Sequence, residues 1–131
     1  MDPKIIRTVD RDGCAIVRVE LANKRGLFVT MDAADYDTWV SSGRSRRFLL
    51  NRNGPLTGTY RVLYYCPEVA GRMAGVARDI IQPGLGRVIR YKDDDRLNLR
   101  RANLEVQEGR AIGQSAVPQS AKGPVEYSAD L

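Results

Sequence analysis

The sequence of 131 residues contains no histidine, and this absence excludes several kinds of chemistry. Imidazole is the commonest general base in enzymes and a frequent metal ligand, and Ser-His and Cys-His catalysis both depend on it. Cysteine is scarce too, because only Cys14 and Cys66 occur and no C-x-x-C pair is present. A zinc site built from cysteine is therefore not expected. We expect two reduced, half-buried thiols, with a disulfide between them as the alternative.

Long hydrophobic runs are also absent. Stretches such as GLFVTM are far shorter than the ~20 residues that a membrane-spanning helix needs. The first ten residues, MDPKIIRTVD, lack the charged start and long apolar segment of a signal peptide. We therefore expect a soluble protein of the cytoplasm that has no membrane partner.

Positive charge is concentrated in one part of the chain. Residues 44–106 hold 13 basic and 6 acidic groups, a net charge of +7, whereas the segments before and after are each at −1. Such a distribution is typical of a surface that binds a polyanion, nucleic acid above all. An ordinary arginine-rich surface would give the same count, so both interpretations stay open.

The pattern of apolar residues predicts an α+β fold, with a small antiparallel sheet of hairpins and short helices. Residues 14–21 alternate between apolar and charged side chains as a half-buried strand does, and a glycine-containing turn leads to a second strand at 27–31. A helix should follow, capped by Asp32 and ending near Ser42. The hairpin and helix together make up residues 14–43.

The predicted helix carries two further features. Asp35 and Asp37 place negative charge close to its N-terminus, where the helix dipole favours it. Tyr36, Trp39 and Val40 recur at helical spacing, and we expect this face to pack into the core.

The second half of the chain should continue as alternating strands and short helices. The strands are predicted at 46–51, 58–65 and 87–91, and the helices at 76–81 and 98–103. Residues 107–131 are rich in Gly, Ser, Ala, Pro and Gln without any periodicity, which predicts a flexible tail. We therefore expect a single domain over residues 1–106.

Residues 26–106 resemble the phage-type HNH endonuclease family. The stretch GLFVTMDAADYDTWVSSGRSRRFLLN is similar to the hairpin, D-x-x-D-Y/W helix and arginine-bearing strand that precede the nuclease motif. VARDIIQPGLGRVIRYKDDDRLNLRRANLEV resembles the motif itself, whose usual form is H-R-x-I-x-G-x-P and then V-D-H-I-N-G-D-x-L-D-N-R-R-x-N-L-R-V. The resemblance implies an HNH-like ββα motif over residues 76–106 and an origin in a phage. The positions that match the family letters are Arg78, Asp95, Leu97, Arg100, Arg101, Asn103, Leu104 and Val106.

The catalytic letters of the family are replaced. Its first histidine falls on Ala77, and its Asp-His pair falls on Arg90 and Tyr91. In the family that aspartate holds a divalent metal and the histidine activates the attacking water. Arg90 would repel a metal cation, and a phenol with a reference pKa of about 10 is a poor base at neutral pH. The resemblance therefore implies a degenerate nuclease with no catalytic residue, and we expect no metal and no other cofactor.

A rebuilt metal site is the weaker alternative. The acidic run Asp93, Asp94 and Asp95 could bind a hard cation through its carboxylate oxygens. A solvated acidic turn, paired with Arg96, Arg100 or Arg101, is the interpretation that we favour.

Two classes of function remain, and both use the same basic residues. The first is a pseudo-nuclease that binds nucleic acid, or a nucleic-acid-handling host complex, without cleavage. The alternative is a phage anti-defence inhibitor, similar in role to anti-CRISPR proteins, that binds a host protein directly. A residual metal-dependent DNA endonuclease is third, and each would act in the cytoplasm of a bacterial host. The expected binding residues are Arg44, Arg46, Arg47, Arg87, Arg90, Lys92, Arg96, Arg100 and Arg101.

Tyrosines accompany these cations along the sequence. Tyr60, Tyr64, Tyr65 and Tyr91 could stack on bases, although packing within a sheet is the interpretation we favour for most of them.

Overall fold

A computed structural model describes residues 3–52 and 59–108 of the chain. These residues form an α+β fold, as predicted, with eight strands in three small sheets and two short α-helices. Neighbouring strands within each sheet are antiparallel. Neither of the described helices is long and apolar enough to cross a membrane.

The first sheet is made by the N-terminal third of the chain. Its strands are β1 (Ile5–Val9), β2 (Ala15–Glu20) and β3 (Phe28–Asp32), and β2 lies in the middle. The predicted hairpin is therefore confirmed as β2 and β3. Strand β1 was not predicted, because its five residues are half-buried or exposed and show no clean alternation of apolar and polar side chains.

Helix α1 (Ala33–Ser41) follows β3 without a loop, within the predicted range. Tyr36 and Trp39 are buried, but Val40 is 42% exposed, so its assignment to the core face was wrong. The Trp39 indole N–H donates to the Ser45 carbonyl at 2.9 Å, which holds the chain after the helix. The helix thereby covers one face of the first sheet and lies beside the second.

The second sheet contains β4 (Phe48–Arg52), β5 (Tyr60–Tyr65) and β6 (Met73–Gly75), with β5 in the middle. The two longer strands were predicted, whereas the three-residue β6, after a 3-10 helix at Ala70–Arg72, is too short to leave a pattern. Helix α2 (Val76–Ile81) confirms the helix predicted there.

The third sheet is a two-stranded pair of β7 (Arg87–Tyr91) and β8 (Leu104–Glu108). The helix predicted at 98–103 is only a 3-10 turn at Arg101–Asn103. The reason is that residues 97–99 are extended and pair with the edge of the first sheet. The Thr30 amide donates to the Leu97 carbonyl and the Leu99 amide to the Thr30 carbonyl, both at 2.8 Å.

One hydrophobic cluster connects the three sheets. Trp39 lies at its centre, where its ring meets Phe48 and Tyr64 edge-on at centroid distances of 5.6 and 4.6 Å. Leu99 and Leu104 bring the C-terminal pair of strands into the same cluster. The described residues thus share one core rather than three separate ones.

The structure corrects two of the sequence predictions and does not describe the residues of a third. Both described cysteines are free thiols, and Cys14 is exposed rather than half-buried. Strand β8 runs to Glu108, two residues beyond the predicted end of the domain. The predicted tail lies outside the described residues from residue 109 onward.

Candidate nucleic-acid interface

Arg100 is buried and contacts three carboxylates from the N-terminal third of the chain. Its Nη1 donates to Asp10 at 2.5 Å, its Nη2 to Asp12 at 2.9 Å and its Nε to Asp32 at 2.8 Å. Asp10 and Asp12 lie in the turn between β1 and β2, and Asp32 ends β3. The Arg100 side chain is only 10% exposed. All three of its nitrogens are engaged, so Arg100 holds the fold together and does not face a ligand.

Arg101 is also engaged within the chain. Its Nε donates to both carboxylate oxygens of Asp35, at 3.0 and 2.9 Å, and its Nη2 donates to the Ile80 carbonyl at 3.0 Å. Its backbone amide donates to the second carboxylate oxygen of Asp32 at 3.1 Å. The guanidinium therefore joins α1 to the end of α2, although its outer side remains in contact with solvent.

These contacts correct the expected role of Asp32 as the cap of α1. Asp32 does occupy the N-cap position, but its side chain makes no hydrogen bond to the helix. A carboxylate forms stronger bonds with a guanidinium than with a neutral amide. One oxygen of Asp32 accepts from the Arg100 guanidinium and the other from the Arg101 backbone amide, so neither of them caps the helix.

The charges around Arg100 reinforce one another. The pKa of Asp10 lies below its ordinary value because the Arg11 amide and the Arg100 guanidinium both donate to the carboxylate. The Cys14 amide and Arg100 lower the pKa of Asp12 in the same way. Asp32 and Asp12 in turn raise the pKa of Arg100. Asp10, Asp12 and Arg100 consequently stay ionised across the neutral range.

The acidic turn at residues 93–95 pairs with the backbone rather than with Arg100 or Arg101. Asp93 accepts from the Asp95 amide at 2.8 Å and from the Asn98 side-chain amide at 2.9 Å. Asp95 accepts from the Leu97 amide at 2.9 Å. Burial alone would raise the pKa of Asp93, but these hydrogen bonds outweigh it and lower the pKa. The expected pairing of this turn with Arg100 or Arg101 was therefore wrong.

Asn103 completes the turn from the other side. Its side-chain oxygen accepts from the Asp93 amide at 3.0 Å, and its side-chain nitrogen donates to the Asn98 carbonyl at 3.0 Å. Asp94 is exposed at the tip, in a left-handed conformation with φ of 59°. Over residues 3–52 and 59–108, no three acidic or cysteine side chains are grouped so that they could hold a metal ion.

The positions that match the family's catalytic letters are occupied by structural or exposed side chains. Ala77 is buried within α2. Tyr91 is half-buried against the core, and the guanidinium of Arg96 lies over its ring, 4.8 Å from the centroid. Arg90 is exposed at the middle of β7. Ala77 and Tyr91 therefore contribute to packing and stacking.

The exposed cations of the motif lie along β7 and just after it. Arg87 forms a solvent-exposed ion pair with Glu108 at 3.4 Å, which holds it only weakly. Arg90 and Lys92 are exposed, and neither makes an ion pair within the described part of the chain. Glu105 lies opposite Arg90 in the strand register and moderates the positive charge there.

The three basic residues before β4 differ in how accessible they are to a ligand. Arg44 lies over the Trp39 ring at 5.1 Å and its Nε is 3.4 Å from Asp79, so it is part of the structure. Arg46 is half-buried, and Arg47 is exposed at the start of β4. Of the nine predicted binding residues, five are exposed, namely Arg47, Arg87, Arg90, Lys92 and Arg101, and of these Arg101 is engaged with Asp35.

The tyrosines also differ in their exposure to solvent. Tyr64 is buried, and its hydroxyl donates to Asp79, as expected for a residue that packs within the sheet. Tyr60 and Tyr65 are partly exposed, with the guanidinium of Arg52 over the Tyr60 ring at 5.9 Å.

Comparisons of this chain with family models, with curated proteins and with solved structures find no match. The resemblance to the HNH family stays a prediction made from the residues. The structure adds that several letters shared with the family have structural contacts here, namely Asp95, Arg100, Arg101, Asn103 and Leu104.

Two residues of the Arg100 cluster were missed in the sequence. Asp10 and Asp12 sit in the stretch DRDG, which would have been recognised as a hairpin turn if β1 had been predicted. No local pattern connects that turn to an arginine 90 positions later.

Replacing Arg100 by methionine should destabilise the protein strongly. The variant keeps most of the buried volume but leaves Asp10, Asp12 and Asp32 close together without their cation. We expect the melting temperature to fall by roughly 10 °C or more, because loss of one partner from a buried ionic cluster is severe in a domain of this size. Arg90→Met is the matched control, and it should shift the melting temperature by only ~2 °C. Equal shifts in the two variants would contradict the structural role of Arg100.

The same cluster predicts a dependence of stability on pH. Because Asp10 and Asp12 have lowered pKa values in the folded state, their stabilisation is present above the unfolded pKa, about 4, and is lost as the pH falls through the folded values. The melting temperature of the wild type should fall steeply below pH 4. In Arg100→Met the fall should be shallower, but not absent, since the Arg11 and Cys14 amides remain. Parallel curves for the two proteins would show that Arg100 does not lower these pKa values.

Proposed function

We propose that this chain is a pseudo-nuclease, which binds nucleic acid or a nucleic-acid-handling complex without cleaving it. The observation that carries the proposal is the contrast within residues 76–106. The framework positions Arg100, Arg101 and Asn103 hold the motif in place, whereas an exposed cation, Arg90, stands where an HNH enzyme holds its metal. A cation at that position favours contact with a phosphate and opposes binding of the metal that hydrolysis requires.

The proposal includes an HNH-like ββα motif. Strands β7 and β8 would supply its hairpin, and residues 92–103 would supply the ordered connection between them. The antiparallel pairing of Arg87–Tyr91 with Leu104–Glu108 supports this assignment without deciding it.

The available charge argues for modest affinity. Arg100 and Arg101 are occupied within the fold, so the phosphate contacts would come mainly from Arg87, Arg90 and Lys92. Each neutralised phosphate releases counterions and adds to binding without selecting a sequence. Few contacts of this kind predict weak, salt-sensitive binding.

A second candidate is the phage anti-defence inhibitor that binds a host protein. Leu85 is fully exposed and Val88 is 42% exposed nearby, and protein interfaces commonly use such apolar side chains. The two candidates differ in whether the exposed surface around β7 contacts a polyanion or a protein.

Purified protein should not cleave DNA. Supercoiled plasmid and single-stranded DNA, incubated with Mg²⁺ or Mn²⁺, should stay intact because the base and the metal ligand of the resembled motif are absent. A parallel preparation of Arg90→Ala with Tyr91→Ala serves as the control for contaminating nucleases. Metal-dependent nicking by the wild type but not by this double variant would contradict the proposal.

Binding to duplex DNA should weaken linearly on a plot of log affinity against log salt. Replacing Arg90 and Lys92 by alanine should remove up to about two phosphate contacts. Each contact contributes about 0.9 to the slope, so the slope should become shallower by up to twice that amount. The matched control removes the same charge from the β2–β3 turn, through Lys24→Ala and Arg25→Ala, and should leave the slope nearly unchanged. Equal changes from both pairs would mean diffuse attraction rather than a defined face. If the wild type binds no DNA or RNA even at ~50 mM salt, the nucleic-acid proposal fails.

A further inference from the structure

Leu85 is held fully exposed at the tip of a tight loop between α2 and β7. Three of the loop's positions have left-handed backbone conformations, with φ of 53° at Gln82, 90° at Gly84 and 74° at Gly86. Glycine adopts such angles without steric cost, so the two glycines define the shape of this loop. The conformation directs the Leu85 side chain into solvent rather than toward the core.

Arg78 braces the loop from helix α2. Its Nη1 donates to the Arg87 carbonyl at 2.9 Å and its Nη2 to the Gly84 carbonyl at 3.3 Å. These acceptors lie on either side of Leu85 in the sequence, so one guanidinium joins the two arms of the loop. The exposed leucine thus belongs to a built structure and not to an unsupported segment.

The surroundings of Leu85 combine apolar surface with cations. On β7, Ile89 and Tyr91 pack toward the core, so Val88 and Arg90 share the outward face. Arg87 begins the strand two residues after Leu85. The described structure therefore presents an apolar tip that continues into the same cationic strand that the proposed function uses.

We propose that Leu85 is a wedge that inserts between neighbouring base pairs of duplex DNA, entering from the minor groove. Proteins that bend DNA use apolar side chains in this way, together with basic residues that bind the flanking phosphates. The glycines on both sides of Leu85 carry no side chain that would obstruct the groove walls. This inference rests on the proposed nucleic-acid binding and identifies its target as duplex DNA.

The chemistry of the tip favours duplex DNA over other targets. Single strands are bound mainly by aromatic stacking, and the loop at 82–86 has no aromatic residue. The cations of β7 suit a wedge in particular, because an apolar side chain inserted between base pairs needs phosphate contacts beside it. Insertion is easiest at flexible pyrimidine–purine steps, and we therefore expect a preference for duplexes that contain TA steps.

The test compares wild type with Leu85→Ala on a short duplex that carries a central TA step and a fluorophore at each end. The wild type should shorten the end-to-end distance, and Leu85→Ala should abolish that bend and weaken binding by about fivefold or more. Its salt slope should equal that of the wild type, because a leucine contacts no phosphate. Leu85→Met, which keeps a long apolar side chain, should retain most of the bend. Val9→Ala, on the exposed end of β1, is the matched control and should change neither quantity.

The outcomes separate the wedge from the function on which it rests. If the wild type binds duplex DNA and Leu85→Ala binds and bends it equally well, the wedge is overturned while nucleic-acid binding stands. If the wild type binds no duplex DNA at ~50 mM salt, the wedge is overturned, and the nucleic-acid proposal is overturned with it if RNA and single-stranded DNA are not bound either. Equal melting temperatures of wild type and Leu85→Ala exclude misfolding as the cause of any difference, and they are expected for a side chain that touches no core residue.

Discussion

The arrangement of this domain depends on one guanidinium that is almost completely removed from water. Burying the charge of Arg100 would be very costly unless its N–H groups were satisfied, and three carboxylates satisfy them. Those carboxylates come from the β1–β2 turn and from the end of β3. The side chain therefore fixes the first sheet against residues 97–103, where backbone hydrogen bonds from Thr30 already position the chain. The backbone hydrogen bonds of Thr30 and the ion pairs of Arg100 therefore specify the same position of residues 97–103 against the first sheet.

This requirement changes what the charge of the sequence means. Residues 44–106 carry a net charge of +7, which predicts either a polyanion-binding surface or an ordinary arginine-rich one. Two of the central cations, Arg100 and Arg101, instead neutralise carboxylates of residues 10–35. The net charge of a sequence segment cannot distinguish cations that stabilise the fold from cations that bind a ligand. The surface that remains for binding is smaller and is centred on β7.

Most elements were predictable, and the failures have common physical causes. Strands β2, β3, β4, β5 and β7 and both helices follow from local patterns of apolar residues, because a half-buried strand and an amphipathic helix have distinct periods. Strand β1 was not predicted because it lies at a sheet edge with little burial. Val40 was assigned to the wrong face of the helix, because the side chains of successive helix residues point about 100° apart around the axis. The cluster of Arg100 could not be predicted, since its partners are 68 to 90 residues away and no short-range signal links them.

Within residues 76–106, the side chains that pack and the side chains that face solvent are different residues. Tyr91 lies against the core under the guanidinium of Arg96 and contributes to packing. Arg90 stands one residue earlier on the outward face of β7, opposite Glu105 in the strand register, where it is exposed and open to a ligand. A residue that neither supports the core nor pairs with an acid has its charge available for a phosphate. The braced loop before β7 places Leu85 beside the same strand. On the proposed function, the exposed cations would therefore hold the backbone of a duplex while the leucine acts on its base pairs.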